Sequence, residues 1–427
     1  MKQADLSKLL KRFSSLFGAR ILGSILIFAV NLLIVRVWSE DVLGLFSILL
    51  AINAVLAQIC SGGFTNIATM LTSKYVAMRK FGWLAGFQSH AYTIRLAGAL
   101  LSFPISLAYL FWSTDYRGIT LIILGLALAV SIFVSATLAF YSAVLVARDQ
   151  QVRAIVPEVL LRPVLLLFAI IAVAALGWSV SADQLFILFG VVNIAVLLII
   201  WRYMKISAAG NEIVPDFSQR GQWNRAAPPW IVTSLVWDFF VELQILVAGF
   251  LALPAQVAIL HICFRFRMLA GFGMRALYSL LLPDIYAKHA KGADITAAVR
   301  RVHLLGTVYG LCVLLGFVII GKPLLSLFGP SFTGHLDALL IVSSVVLVRG
   351  ICGPTPALLA MYGSHLSSSI VMSFCLIGSV AAAPFAYSHW GITGLAGSYA
   401  AASIAGSVVL WIYLKILLRR RAIGEEA

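Results

Sequence analysis

Charged residues are scarce in this chain. Asp, Glu, Lys and Arg make up 11% of its 427 residues, where a soluble globular domain carries about one quarter. That shortage excludes a water-facing surface over most of the length. Cysteine is sparse and unpatterned: Cys60, Cys263, Cys312, Cys352 and Cys375 all fall in apolar stretches without a C-x-x-C, and they read as small buried residues. The seven histidines show no metal spacing, and no H-E-x-x-H occurs. Nucleotide motifs are missing too. Gly316 to Lys322, GFVIIGK, has the spacing of a phosphate-binding loop. Pro323 stands where the Ser or Thr belongs, however, and the run ends an apolar helix instead of joining a strand to one. The expectation is a chain with no cofactor, no metal and no ATPase of its own, driven by ion or potential gradients or by downstream use of its product.

What is abundant is apolar. Hydrophobic residues are 62% of the chain and the mean hydropathy is +1.01. A hydrocarbon core ~30 Å thick needs about 20 apolar residues per helix, and runs of that kind recur from residue 21 to residue 418. Alternating segments of about 10 residues, the mark of an outer-membrane barrel, do not occur. The fold class predicted is an all-α integral membrane protein of about twelve transmembrane helices. They are placed near 21–37, 42–70, 86–112, 118–147, 157–177, 182–201, 228–251, 255–282, 302–320, 336–361, 366–387 and 391–414.

Basic residues orient these spans, because cytoplasmic loops collect Lys and Arg. One side receives Lys2, Lys8, Lys11, Arg12 and Arg20, then Lys74, Arg79, Lys80, Arg148, Arg153, Arg202 and Lys205. Arg220, Arg225, Lys288, Lys291, Arg300, Arg301, Lys415 and Arg419 to Arg421 join them, while the other side keeps Arg36, Arg117 and Lys322. Both termini are therefore expected in the cytoplasm of a multi-pass inner-membrane protein. The net charge of +15 reflects this topology and an anionic leaflet, not nucleic-acid binding. The one sizeable polar interruption, 202–227, divides the chain into an N-terminal lobe of six spans (1–205), a cytoplasmic linker (206–227) and a C-terminal lobe of six spans (228–427). Transporters are commonly built from such paired halves.

The stretch LLIVRVWSEDVLGLFSILLAINAVLAQICSGGFTNIATMLTSKYVA resembles the opening of bacterial oligosaccharide flippases, the polysaccharide-transporter branch of the multidrug and polysaccharide exporter superfamily. The likeness rests on a short acidic loop, Glu40 and Asp41, followed by Gly44 and Phe46, and on the Gly-rich break Ser61-Gly62-Gly63-Phe64. LLPDIYAKHAKGADITAAVRR, KPLLSLFGPSFTGHLDALLIVSS, GPTPALLAMYGSHLSS and WGITGLAGSYAAA follow the family's order and spacing in the second half. The resemblance implies two six-helix lobes forming a V around a central cavity, alternating access, and an undecaprenyl-diphosphate-linked oligosaccharide as substrate. It implies no individual binding residue.

Those come from the charges within spans, since a charge in hydrocarbon normally faces a partner or a wet cavity. Arg95, Arg162, Arg265, Arg267, Arg275 and Arg349 stand against Glu158, Asp238 and Glu242. A cationic excess suits a diphosphate headgroup, which arginine binds in bidentate fashion, and does not suit a cationic drug. The candidate substrate-binding residues are Arg265, Arg349, Arg267, Arg95, Arg36 and His261. Arg36 and Arg95 could instead snorkel to an interface, and Glu158 and Arg162 read as a local i,i+4 ion pair. His261 and Arg265 share a face, whereas Arg267 lies about 200° round, so one arginine is expected to serve the cavity and the other to pair structurally. Asp238 and Glu242, four apart on one helix face, are assigned to ion coupling or to pairing with Arg265 or Arg349. Arg349 precedes Gly350 and the Gly353-Pro354-Thr355-Pro356 break.

The function read from the sequence is a flippase moving a lipid-linked repeat unit from the cytoplasmic to the periplasmic leaflet for cell-surface polysaccharide synthesis. Its expected partners are the lipid-linked oligosaccharide, membrane lipids, a polysaccharide polymerase and glycosyltransferases. The alternatives are an exporter of the same architecture for cationic drugs or the peptidoglycan lipid precursor, and a membrane glycosyl polymerase or ligase. The shortness of the outer loops, of which 321–335 is the longest, weighs against an enzyme.

Overall fold

The computed structural model describes residues 3–207, 214–291 and 293–422. Lys2 and residues 208–213 of the expected linker lie outside them. The elements are α1 (Gln3–Val37), α2 (Glu40–Cys60), α3 (Phe64–Ala77), α4 (Phe81–Ser113), α5 (Gly118–Ala147) and α6 (Gln151–Val156), then a π-turn over Pro157–Leu161. They continue as α7 (Arg162–Ala175), α8 (Ala182–Ser207), α9 (Arg220–Ala226), α10 (Pro229–Trp237), α11 (Phe240–Leu251) and α12 (Pro254–Ala290). The last are α13 (Thr296–Ser326), α14 (Pro330–Thr333), α15 (Leu336–Cys352), α16 (Thr355–Met361) and α17 (His365–Ala422). No strand occurs among the described residues.

Ten helical stretches are long and apolar enough to cross a membrane, and eleven if the bent pair Arg220–Trp237 and Phe240–Leu251 forms one span. α17 supplies the twelfth. At Gly391 its backbone turns to φ 54° and ψ −135°, a conformation that only glycine adopts without strain. Beyond it Gly394 lies against the Ala386 carbonyl, and Gly406 against Met372 and Cys375. In a straight helix residues 372 and 406 would stand about 50 Å apart. α17 is thus an antiparallel helical hairpin turning within about one residue; counted as two, it brings the candidate spans among the described residues to twelve when the bent pair is taken as one.

Large apolar side chains cover much of the surface: Leu100, Leu101, Trp112, Ile119, Phe168, Ile319 and Phe374 are all more than 60% exposed. Water would make such a surface aggregate; a bilayer makes it the lipid-facing belt. Between spans, association then rests on close packing and buried polar bonds, because lipid tails are as apolar as leucine.

The chain separates into two compact units, Met1–Phe250 and Leu251–Ala427, so the span that follows the polar stretch groups with the first. Local chemistry explains this. Trp223 of α9 is buried; its indole N–H donates to the Tyr75 hydroxyl at 2.7 Å and its ring packs on Phe87. His90 and the Asn224 side chain are hydrogen-bonded at 2.8 Å. Gly63, with φ 78°, lies so close to the Ala227 carbonyl that any Cβ would overlap it. Ahead of α9, an exposed strap is fastened to the start of α4. The Asp216 backbone N–H donates to the Gly82 carbonyl at 2.9 Å, and its carboxylate accepts the Trp83 indole at 2.8 Å and the Ser218 N–H at 2.8 Å. The part of the expected linker described here is therefore packed onto the first unit.

The expected Glu158–Arg162 ion pair does not form. Pro157 opens a π-turn that ends at Leu161, and Pro163 follows it in α7. Glu158 accepts from the Ser142 hydroxyl at 3.3 Å instead.

Candidate functional site

In the first unit, α4 turns a stripe of small and apolar residues inward: Leu84, Phe87, Ala91, Ala99, Ser102, Ser106 and Leu110. Their three- and four-residue steps mark one helix face, and Arg95 falls on that same face. Its side chain is fully buried, so it does not snorkel. The guanidinium lies 4.1 Å from the centre of the Phe140 ring, and Nε, Nη1 and Nη2 are all buried without a hydrogen-bond acceptor. A charge in that position costs several kcal/mol, and the cation–π contact returns only about 1–2 kcal/mol. Arg36 behaves differently. It sits exposed in the last turn of α1, where snorkelling accounts for it.

The same unit holds a polar cluster at the Gly-rich break between α2 and α3. The Ser234 hydroxyl of α10 accepts from Gln58 Nε2 at 3.0 Å and from Asn66 Nδ2 at 2.8 Å. Gln58 Nε2 also donates to Asn66 Oδ1 at 2.8 Å. The break frees backbone groups that a continuous helix would satisfy, and side-chain amides gather beside it. Sequence reasoning missed these three residues; an Asn and a Gln within one apolar run were the available signal.

Asp238 and Glu242 do not share a helix face. α10 ends at Trp237, the Asp238 and Phe239 N–H groups both bond to the Ser234 carbonyl, and α11 departs at 68°. Four residues apart across such a break is not one helical turn. Asp238 is exposed at the corner, while one carboxylate oxygen of Glu242 is buried in the first turn of α11.

In the second unit, α12 carries His261, Arg265 and Arg267. His261 is buried and its Nε2 accepts from Arg265 Nε at 3.2 Å. Arg267 points elsewhere, as the 200° offset requires. Its guanidinium stands 5.4 Å from the Tyr399 ring centre, and its Nε is buried without an acceptor. Arg349 of α15 reaches the same helix: its Nη2 donates to the Ser403 hydroxyl at 3.0 Å, one turn beyond Tyr399. Arg267 and Arg349 therefore converge on α17, with Arg275 also in electrostatic reach of Arg349. Arg265, the favoured cavity residue of its helix, is the one that pairs with a neighbour.

The break after Arg349 is built to be stable. Gly353 ends α15 with φ 66° and ψ −167°, leaving carbonyls exposed, and side chains take them up. Tyr278 donates to the Arg349 carbonyl at 3.1 Å, His303 Nδ1 meets that of Ile351 at 2.7 Å, and Thr355 donates to Cys352 at 2.6 Å. Tyr278, Tyr399 and Ser403 complete an arginine-rich, hydroxyl-lined cluster that the sequence did not single out, because tyrosine and serine in apolar helices carry no distinctive spacing. Chemically it offers two guanidinium groups beside the Ser403 hydroxyl, a set that recognises anionic oxygens.

No protein-family model matches this chain, and no curated protein matches it by sequence. Solved structures do. A multidrug resistance MATE family transporter of the MOP superfamily, in an inward-facing conformation, superposes with a TM-score of 0.73 at 14% identity, over 95% of this chain and 96% of that one. The lipid II flippase MurJ, in an inward closed conformation, gives 0.76 at 16% identity, over 94% and 87%. The Vibrio cholerae MATE transporter VcmN in its bent form gives 0.60 at 17% identity, over 99% of each. The chain has the fold of MOP-superfamily transporters.

Proposed function

We propose that this chain is a flippase that carries a lipid-linked oligosaccharide, with an undecaprenyl-diphosphate-type anchor, from the cytoplasmic to the periplasmic leaflet by alternating access. The observation that carries the reading is the state of its intramembrane arginines. Arg95 is buried with no acceptor on any nitrogen, and Arg267 and Arg349 meet hydroxyls and an aromatic ring in the second unit. Buried cations held this way are costly to fold, which is explicable where a transported anion supplies the missing acceptors. A diphosphate does so in bidentate fashion. The MurJ likeness, a flippase of a lipid-linked substrate by its own name, supports the same class.

In this reading Arg267 and Arg349 bind the diphosphate while the polyprenyl tail stays in lipid, and Arg95 meets anionic oxygens within its own unit. Glu242 and Asp238 serve ion coupling or charge compensation. The protein sits in the bacterial inner membrane with both termini cytoplasmic, and it serves cell-surface polysaccharide synthesis beside a polymerase and glycosyltransferases. A cationic-drug exporter is the second reading, carried by the MATE likeness; it leaves the arginines unexplained.

The test is complementation of a strain lacking its polysaccharide flippase, scored by surface polymer, followed by reconstituted transport of the lipid-linked sugar native to this chain's own cell. Wild-type rescue lost in well-expressed Arg267→Ala and Arg349→Ala supports both function and site. Rescue by every variant, Arg265→Ala and Arg95→Met included, removes the arginines from the site. Failure of both rescue and reconstituted transport sinks the flippase reading and advances drug export.

A further inference from the structure

At the end of the first unit opposite its Lys- and Arg-rich loops, the α1–α2 and α7–α8 connections border a wide, open depression of about 720 Å³. Its lining includes Trp38, Ser39, Trp178, Ser179, Ser181 and Gln184, and no Asp, Glu, Lys or Arg. That exclusion is local and pronounced, since Arg36, Glu40, Asp41 and Asp183 lie one or two residues from lining positions.

The walls are preformed. α7 ends in a Schellman motif: the Gly177 N–H bonds to the Ala174 carbonyl at 3.0 Å, and the Trp178 N–H to that of Val173 at 3.4 Å. The reversal at Gly177, φ 68°, aims Trp178 outward. The Trp38 indole N–H then donates to the Trp178 carbonyl at 3.0 Å, tying the two connections together. Ser39 accepts the Val42 N–H at 3.2 Å, and Gln184 Oε1 accepts that of Ser181 at 3.2 Å. Those bonds use acceptor positions and leave the Ser39 hydroxyl proton and the Gln184 amide protons out of them. The Ser179 and Ser181 hydroxyls stand on the same wall. Trp178 is 62% exposed, leaving most of its ring surface available.

Tryptophans at span ends commonly form the interfacial belt. A belt residue faces lipid from a convex surface, however, whereas Trp38 and Trp178 are bonded across a concavity ringed by hydroxyl and amide donors. A phosphate or carboxylate would call for a cation in the wall, and a purely apolar ligand would leave the donors unpaired. What fits is neutral, rich in hydroxyls and flat on one face. A pyranose presents equatorial hydroxyls at its edge and a row of C–H bonds that lies against an aromatic face. The volume falls in the range of small-ligand sites, roughly 300–1,000 Å³. We infer that this depression is a carbohydrate-binding subsite for neutral sugar residues, separate from the arginine cluster. It rests on the proposed function in one respect: the sugar it receives is the glycan of the transported lipid.

The experiment is saturation-transfer NMR on the full chain in nanodiscs, with maltose, cellobiose, lactose and chitobiose as probes and glycerol 3-phosphate as the anionic control. At least one disaccharide is expected to receive transfer, with affinity falling at least tenfold in Trp178→Ala and in the double variant Ser179→Ala, Gln184→Leu. Trp178→Phe, which keeps a ring and the backbone bond to Trp38, should retain part of it, and Trp390→Ala, an exposed tryptophan of the other unit, all of it. No transfer from any disaccharide, unchanged transfer in the folded Trp178→Ala, or stronger transfer from glycerol 3-phosphate overturns the inference. Disaccharide binding without transport of a lipid-linked sugar would sink the flippase reading while keeping the subsite. Transport that is indifferent to Trp178→Ala, in a chain that binds no disaccharide, would do the reverse.

Discussion

Replacing Arg95 by methionine should stabilise the protein while stopping transport. Methionine keeps most of the unbranched stem and its contact with Phe140 but removes a guanidinium whose three nitrogens have no acceptor. The charge costs ~2.5–3.5 kcal/mol on insertion scales. Its stacking at 4.1 Å on the Phe140 ring returns ~1–2 kcal/mol. The balance favours the uncharged side chain by about 1–2 kcal/mol, roughly a tenfold shift in the folded-to-unfolded ratio and a few degrees in melting temperature. The assay is thermal unfolding of purified wild type and Arg95→Met in one detergent, followed by size-exclusion fluorescence, beside complementation at matched expression. Stability traded against activity is the signature of a residue kept for function. A variant destabilised by more than about 1 kcal/mol would refute the argument, because the guanidinium would then be holding the fold together. A stabilised variant that still transports would free Arg95 from any substrate role.

Gly63→Ala should cost roughly 2–4 kcal/mol, since the new Cβ meets the Ala227 carbonyl at a positive φ; a lowered unfolding temperature checks it. Arg349→Lys should fold normally yet lose about tenfold in transport, because an ammonium cannot reproduce a two-pronged contact; reconstituted flux at matched protein measures this. Asp216 is exposed, and the Ser218 N–H foremost, with the Trp83 indole, holds its carboxyl below the ordinary 3.8. A depressed folded-state value means that its contribution is present above pH 3.8 and is lost as pH falls through the lower value. Protection factors at the start of α4, taken against the intrinsic exchange rate at each pH, should therefore fall on acidification below about 4, and Asp216→Asn should flatten that response.

The helical class and the twelve spans were legible because hydropathy over 20 residues is a strong signal. The joints between spans were less so. The glycines at 62 and 63 mark the break within the 42–70 run, but nothing comparable marks the bend after residue 228, where Asp238 and Phe239 crowd one carbonyl. Intramembrane charges could be found by inspection, whereas their partners could not. Helical spacing separated Arg265 from Arg267 correctly, yet which of the two joined Arg349 depended on where α17 brought Tyr399 and Ser403. The Trp38–Trp178 depression was hidden because its walls lie 140 residues apart, and each tryptophan alone satisfies the belt rule.

The turn at Gly391 has a consequence for how the chain enters the bilayer. With the reversal confined to about one residue, the pair 366–390 and 392–418 has almost no hydrophilic loop to carry across. The two spans can partition together as one wedge, and neither has to be threaded and released alone. Their orientations are then inseparable: the side that keeps His365 also keeps Lys415, however the charges beyond are altered. A bulky residue at Gly391 would strike earlier than folding, at the point where the second span must double back into lipid, and its mark would be a C-terminus stranded on the wrong side of the membrane.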